Sequence, residues 1–488
     1  RRDSTIPIIV EENPNYHNLF GYVENVTYKG TVFTDFSLIQ SGSFHRANGG
    51  YLLMDADKVL EQPFVWDGLK RALRSNLLNI TSLERELTLS GTISIEPEAI
   101  RLSVKIILFG TRETMLLLQH YDPEFKELFK VSVDFENEMP RNNNSELQYA
   151  KFIASLVRDK GLKHCDYRAV AKIIEFSSRQ AEHQNKLSLH AAEIANLLRE
   201  SNYWASESNS SLIRAGHIER ALASQLYREG RIKDEIFEGF IQGTTLLAVS
   251  GKTTGQINAL SVISVGGAEF GMPNRVTASC FYGEGTIIDI ERDAKLSGNI
   301  HSKGVLILSS YLASLFSKRE PMHLSASITF EQSYGEVDGD SASMAEFCAL
   351  VSSLSGLPVR QDLAITGSMN QFGEAQPIGG VNEKIEGFFD SCQILGVTGT
   401  QGVIIPKGNE QNLMLKPEVI ASVKKGFFHI YSISHVKEAI ALYTDMDAGI
   451  LNEEGKYPEK SVFGCVEVIL DELREEEKTD GESGDVHR

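Results

Sequence analysis

Apolar positions along the chain follow two rhythms in succession. In the first 145 residues, runs of strand length alternate with helical periods. Gly50-Tyr51-Leu52-Leu53-Met54-Asp55 predicts a buried strand ending in a carboxylate, Trp66 to Arg74 a helix, and Val104-Lys105-Ile106-Ile107-Leu108-Phe109-Gly110 a second buried strand. Strands alternating with helices imply a parallel α/β sheet. The polar run Pro140-Arg141-Asn142-Asn143-Asn144-Ser145 is expected to be a linker. From 146 to 235 the pattern turns helical. Leu147, Ala150, Phe152, Ile153 and Leu156 share one stripe, and Leu189, Ala192, Ile194, Leu197 and Leu198 another, which predicts the core of a small all-α domain rather than a cofactor site. From 239 to 444, strand-like pieces at 245–250, 287–290, 324–330, 362–367 and 402–406 are separated by helices, as in a compact α+β domain. Residues 445–488 read as an acidic tail with one helix, 466–476.

Composition narrows the class. A chain of 488 residues exceeds what one hydrophobic core serves, and 42% hydrophobic with 23% charged residues excludes a disordered or fibrous protein. The formal charge is −18, and the stretch from Asp447 onward holds 13 acidic against 5 basic residues. Such a surface repels phosphate backbones and anionic lipid, so neither nucleic acid nor membrane is expected as a partner. Five scattered cysteines without CxxC spacing fit a reducing compartment. With no basic-then-apolar leader and no run of roughly 18 apolar residues, a cytoplasmic location is expected. Twelve dispersed histidines, without HExxH or a Cys/His cluster, predict no metal.

Chemistry concentrates in the third region. Glu336-Val337-Asp338-Gly339-Asp340-Ser341-Ala342-Ser343 leads into the helical pattern Met344 to Leu354. A small, Gly-flanked serine at a helix start stands clear of bulky neighbours, and nearby amides can hold an oxyanion. On this segment alone, helix capping by Ser or Asp is the more usual explanation. About forty residues on, Thr366-Gly367-Ser368 and then Pro377-Ile378-Gly379-Gly380-Val381-Asn382-Glu383-Lys384 open another helix. A serine hydroxyl needs a base, and a desolvated lysine can serve. Val381, Ile385 and Phe388 lie at helical spacing around Lys384, although a lysine on an amphipathic helix ordinarily snorkels to water.

Gly339-Asp340-Ser341-Ala342-Ser343 and Pro377 to Lys384 closely resemble the two active-site signatures of the Lon proteases, in the variant typical of B-type and Lon-like members. Ala364-Ile365-Thr366-Gly367 and Ile404-Ile405-Pro406-Lys407-Gly408-Asn409 extend the resemblance, which covers about 239 to 443. It implies a Ser-Lys dyad of Ser341 as nucleophile and Lys384 as general base, with Asp338 and Thr366 in supporting positions. Where A-type members carry histidines before the serine, this chain has Ser327 and Thr329.

The first region is similar to Lon-type AAA+ modules through Asn18-Leu19-Phe20-Gly21 and His45-Arg46-Ala47-Asn48-Gly49-Gly50-Tyr51-Leu52-Leu53-Met54-Asp55, and the helical domain would be their lid. By that likeness Asp55 ends a degenerate Walker B strand, since Ala56 stands where a hydrolytic glutamate is usual. Gly110-Thr111 replaces the sensor asparagine, no arginine occurs in Asp122 to Phe129, and Leu187 to Ala192 lacks the second-sensor arginine. The only Gly-Lys-Thr, Gly251-Lys252-Thr253, lacks the leading glycine of a phosphate loop and is read as a decoy. The family's phosphate loop would lie upstream of Arg1, so ATP and Mg²⁺ are expected only in a full-length form and are not needed for the peptidase step. Tyr22, Tyr28 and Phe33 could line a substrate pore. The resemblance thus implies a multidomain fold: an α/β AAA+-like core (1–145), an all-α lid (146–235), an α+β protease domain (239–444) and a tail (445–488). It also implies a hexameric ring that degrades unfolded or regulatory proteins with ATP. The alternatives are an ATP-independent peptidase with a worn AAA+ module, and a non-catalytic ring chaperone or scaffold.

Overall fold

A computed structural model of the chain describes residues 6–24, 26–28, 31–80, 95, 97–283, 286–316 and 324–472. The chain falls into two compact units, 1–135 and 136–488.

In the first unit, strands β1 (Ile8–Glu11), β2 (Tyr51–Asp55) and β3 (Lys105–Phe109) form a parallel sheet with β2 in the middle. Alternation along β2 turns Leu52 and Met54 into a core with Leu19, Phe20 and Phe44, and with Val65 and Leu69 of helix α1 (Val65–Ser75). The opposite sheet face is bare: Ile8, Val10, Ile107 and Phe109 are exposed. β3, expected as a buried strand, is half-buried on one face, through Ile106 and Leu108, and exposed on the other, because a continuous apolar run does not specify how many faces are covered. Tyr22 is half-buried, while the side chains of Tyr28 and Phe33 lie outside the described residues.

The second unit begins with β4 (Glu138–Pro140), α2 (Asn143–Asp159), α3 (Tyr167–Gln180), β5 (Lys186–Ser188), α4 (Ala191–Glu207), α5 (Ala215–Glu229) and α6 (Arg231–Gln242). Pro140–Ser145 is no linker. Pro140 pairs with Lys186 across β4 and β5, and Asn142 caps α2 by accepting from the Asn144 and Ser145 amides at 3.0 Å. Capping residues and loop residues are the same types, which is why the run reads as a loop. The buried stripe of α2 is Ser145, Tyr149, Ile153 and Val157, whereas Leu147 is exposed.

A seven-stranded mixed sheet follows: β6 (Gln256–Val265), β7 (Ala268–Tyr282), β8 (Ile287–Asp289), β9 (Leu324–Phe330), β10 (Leu363–Ile365), β11 (Gly402–Pro406) and β12 (His429–Ile433), in the order β8-β9-β7-β6-β10-β11-β12. β6 and β7 form a long hairpin that turns at Gly266 and Gly267, both at positive φ, as a two-residue turn requires. Residues 245–250, expected as a strand, are loop.

The two faces of this sheet carry different helices. Ile257, Ala259, Ile365 and Ile404 pack with α7 (Asn299–Phe316), α8 (Ser343–Ser355) and α10 (Val436–Thr444). Leu260, Ala364, Val403 and Ile405 point the other way, to Val381, Ile385 and Phe388 of α9 (Val381–Leu395). The supposed tail also belongs to the first of these cores. Ala448, Tyr457, Val462, Phe463, Val466 and Leu470 are buried in it, and residues 462–472 are helical. Its acidic residues hid this apolar stripe; residues 473–476 of the expected helix lie outside those described.

Helix α9 lies directly on β7 because both elements lack side chains where they meet. A Cβ on Gly387 would come within 2.1 Å of the Gly271 carbonyl oxygen, and one on Gly271 within 2.0 Å of the Glu383 carbonyl oxygen. Gly387→Ala is expected to push the helix off the strand and lower stability by roughly 1–3 kcal/mol. Urea unfolding checks this: an unchanged midpoint would mean the contact relaxes without cost.

Candidate active site

The loop after β9 turns at Gly339, with φ +93°, and delivers Asp340 and Ser341 to the start of α8. The Gly367 amide donates to the Ser341 carbonyl oxygen at 2.8 Å, and the Met344 amide to the Gly367 carbonyl oxygen at 3.3 Å. So close an approach needs glycine: a Cβ at Gly367 would stand 2.0 Å from Met344 Cε. The Ser341 segment is thus stitched to the end of β10. Neither the Ser341 nor the Ala342 amide has a hydrogen-bond partner among the described residues.

Lys384 reaches the same strand end from the opposite face of the sheet. Its helix starts at Gly380, which is left-handed and lies against Val262. Lys384 is 4% exposed. Its Nζ donates to Ser341 Oγ at 2.9 Å and to Thr366 Oγ1 at 3.2 Å, and Thr366 Oγ1 donates in turn to the Ser341 carbonyl oxygen at 3.3 Å. Burial lowers the Lys384 pKa to about 8, and the Asp340 carboxylate opposes that fall. At pH 7 a lysine with such a pKa is neutral about one time in ten, against about three in ten thousand for an ordinary lysine.

Of the residues expected at the site, the structure brings Ser341, Lys384 and Thr366 together. Asp338 stands apart. It is exposed, with its carboxylate against Gly298 just before α7, and among the described residues no hydrogen bond joins it to Ser341 or Lys384. The acid that acts on Lys384 is Asp340, which was legible in the sequence only as a letter of the motif.

In the first unit, Asp55 caps the helix Ala56–Glu61, accepting from the Asp57 amide at 2.9 Å and the Lys58 amide at 3.3 Å. Thr111 caps the helix Arg112–Tyr121, and Thr114 Oγ1 donates to Asp57 at 2.6 Å. These oxygens serve helix ends. In the second unit, Lys252 and Thr253 pair with Arg360 and Val359, and Lys252 binds Asp445 at 2.9 Å. That geometry is no phosphate cradle. Among the described residues, Asp55, Thr111 and Lys252 do not come together as an ATP–Mg²⁺ site.

Sequence reading missed a buried polar cluster that includes Glu346 of α8. Asp289, Glu291, His301 and Glu346 are each 4% exposed or less. His301 Nε2 lies 3.5 Å from Asp289 and His301 Nδ1 3.7 Å from Glu346, while Glu291 accepts from Thr329 Oγ1 and the Phe330 amide, both at 2.8 Å. Gly304, one turn after His301, packs against Asp340. Burial drives Glu346 up to about 7 despite the nearby His301. Burial would lower His301, but Asp289 and Glu346 outweigh it and raise its pKa. A lone glutamate inside the apolar run of α8 was the available signal.

Comparison with known proteins gives three matching family models. They are described as LonB-like, AAA domain (residues 4–136), archaeal LonB, AAA+ ATPase LID domain (164–228), and Lon protease (S16) C-terminal proteolytic domain (298–444). A Lon protease homologue of Escherichia coli (strain K12) is 37% identical over 411 residues, 84% of this chain and 69% of the relative. One from Haemophilus influenzae is 33% identical over 423 residues, 86% of this chain and 69% of the relative. An archaeal Lon protease of Archaeoglobus fulgidus is 26% identical over 404 residues, covering 82% and 62%.

The cluster makes stability depend on pH. Glu346 binds its proton more tightly folded than unfolded, so its contribution is full below about pH 4.5 and is lost as pH rises towards about 7. Glu346→Gln should flatten that decline. Urea midpoints measured from pH 5 to 8 check it, and parallel curves for variant and parent would show that Glu346 does not titrate there.

Proposed function

The chain belongs to the Lon protease family and is a serine peptidase of the Lon type, and from that premise we propose that Ser341 and Lys384 are its catalytic dyad. The observation that carries this reading is the 2.9 Å contact between Ser341 Oγ and a lysine stripped of water. Neutral Lys384 takes the hydroxyl proton as Ser341 Oγ attacks a peptide carbonyl carbon, then gives that proton to the departing amine. The resulting acyl-serine is hydrolysed when Lys384 deprotonates a water. The Ser341 and Ala342 amides, at the start of α8 and without partners among the described residues, are suited to the oxyanion. Thr366 holds Lys384 and the Ser341 backbone at once. Asp340 tempers the loss of charge on Lys384.

Around this site we assign an AAA+-like core to the first unit, a lid to α2 through α6 and the peptidase domain to the rest. The parallel sheet of the first unit and the extent of the three family matches support the division. We further assign unfolded or regulatory proteins as substrates and a closed homo-oligomeric ring, a hexamer, as the assembly, working in the cytoplasm. Among the described residues no helix is long and apolar enough to cross a membrane. Family membership supports an ATP-driven full-length machine. Engagement of Asp55 and Thr111 as helix caps, with Ala56 next in line, favours instead a peptidase step that runs without nucleotide.

Ser341→Ala should cut casein cleavage by at least about a thousandfold while circular dichroism stays unchanged. In the parent, the acylation rate should rise with pH to a plateau with a midpoint near 8, the value to which burial brings Lys384. Casein cleavage surviving in the alanine variant would remove Ser341 from the mechanism. For the nucleotide, adding ATP and Mg²⁺ to this chain should change hydrolysis of a short fluorogenic peptide by less than about twofold, since a phosphate loop is needed to hold the triphosphate. Stimulation of about tenfold would restore a nucleotide role at the peptidase step.

A further inference from the structure

The helix that carries Lys384 is gripped from outside the peptidase domain. Arg179, in the last turn of α3, reaches Glu386 with both terminal nitrogens: Nη1 donates to Oε1 at 2.6 Å and Nη2 to Oε2 at 2.9 Å. Nη2 also donates to Glu383 Oε1 at 3.3 Å, and Nη1 to the Met414 carbonyl oxygen at 2.8 Å. Glu383 and Glu386 are the residues one before and two after Lys384, in the first turns of α9. Glu386 has only 5% of its side chain exposed and also accepts from the Lys416 amide at 2.8 Å. A two-pronged guanidinium–carboxylate pair fixes direction as well as distance, which a single ammonium does not.

Neighbouring contacts extend the grip. The Gln184 amide donates to the Gln411 carbonyl oxygen at 2.9 Å, and Gln184 Nε2 to the carbonyl oxygens of Glu410 and Leu413. Asn412 Nδ2 donates to the Glu182 carbonyl oxygen at 2.8 Å, and the loop so held returns to α9, where Asn382 Oδ1 accepts from the Met414 amide at 2.6 Å. The end of α3 therefore docks on one side of the α9 start. Val381, Ile385 and Phe388 pin the other side to the sheet core.

We propose that Arg179 is a positioning residue for the dyad: by clamping Glu386 and Glu383 it fixes the first turns of α9, so that docking of the lid helix sets whether Lys384 reaches Ser341. The proposal rests on the Ser341–Lys384 reading above. The pull is mechanical rather than electrostatic, because the charged group that acts on Lys384 itself is Asp340, not the two clamped glutamates. Releasing the clamp frees the helix start to lift from β7 and lets water reach the amine. Loss of position slows acylation, and hydration raises the proton affinity of Lys384.

The experiment compares the parent chain with Arg179→Met, Arg179→Lys and Glu386→Gln, using a fluorophosphonate that labels Ser341 and a short fluorogenic peptide. The methionine variant should lose about ten- to a hundredfold in labelling rate and kcat, with KM unchanged, and its labelling profile should move to higher pH. Arg179→Lys, which keeps the charge and loses the fork, should fall between. If Arg179→Met does not fold, Glu386→Gln decides the question, since it keeps the shape of the pocket and removes the charge pair. A lower melting temperature with the parent's kcat and pH profile would overturn the clamp and leave a structural ion pair. A parent chain that takes no label would sink the dyad reading and the clamp with it, so the two failures are told apart by the parent alone.

Discussion

Everything at the candidate site follows from keeping one ammonium group out of water. Lys384 is 4% exposed, and its polar neighbours within hydrogen-bond reach are two hydroxyls rather than a carboxylate. A lysine with a close acid would stay charged and useless as a base; one in water would do the same. The fold must therefore bring a helix start against a strand end so tightly that solvent does not fit. Glycine supplies that tightness at Gly271, Gly367, Gly380 and Gly387, where a Cβ would collide with backbone or a packed side chain.

The sheet solves the remaining problem of bringing two helix starts together from far apart in the chain. Alternating residues of β6, β10 and β11 feed two separate cores, with α8 on one face and α9 on the other. At the end of β10 groups from both faces meet. Thr366 follows that strand directly and contacts both partners. Ser341 and Lys384 are 43 residues apart in sequence, yet a single short strand serves as their common reference.

Much of this was legible in the sequence because its features are local. The glycine-flanked serine, the Gly-Gly-Val-Asn-Glu-Lys helix start and the run Gly402–Pro406 each carry their own signal, and β11 has the bounds the run suggested. What escaped was set by long-range packing. The phase of α2 depends on which side its neighbours cover, so Leu147 fits a stripe on paper and is exposed in the fold. Acidic residues after Asp447 masked the apolar positions that bury Val462, Phe463 and Val466. The Asp289–Glu291–His301–Glu346 cluster draws on three stretches, 289–291, α7 and α8, and no local spacing rule links residues that far apart in the chain.

The contrast between the two partners of the dyad also orders the proposed reaction. Ser341 is half-buried, whereas Lys384 is 4% exposed, so the open approach to the pair for an incoming peptide is at the serine hydroxyl. A bound peptide that presents its carbonyl to Ser341 closes that approach and keeps the amine dry while the first proton moves. In the proposed reaction, water for the second half-reaction enters where the amine product sat, once that product has left. Deacylation has to wait for the leaving strand to depart. In the proposed reaction, the burial that lowers the Lys384 pKa also keeps bulk water from competing with the peptide for the first proton transfer.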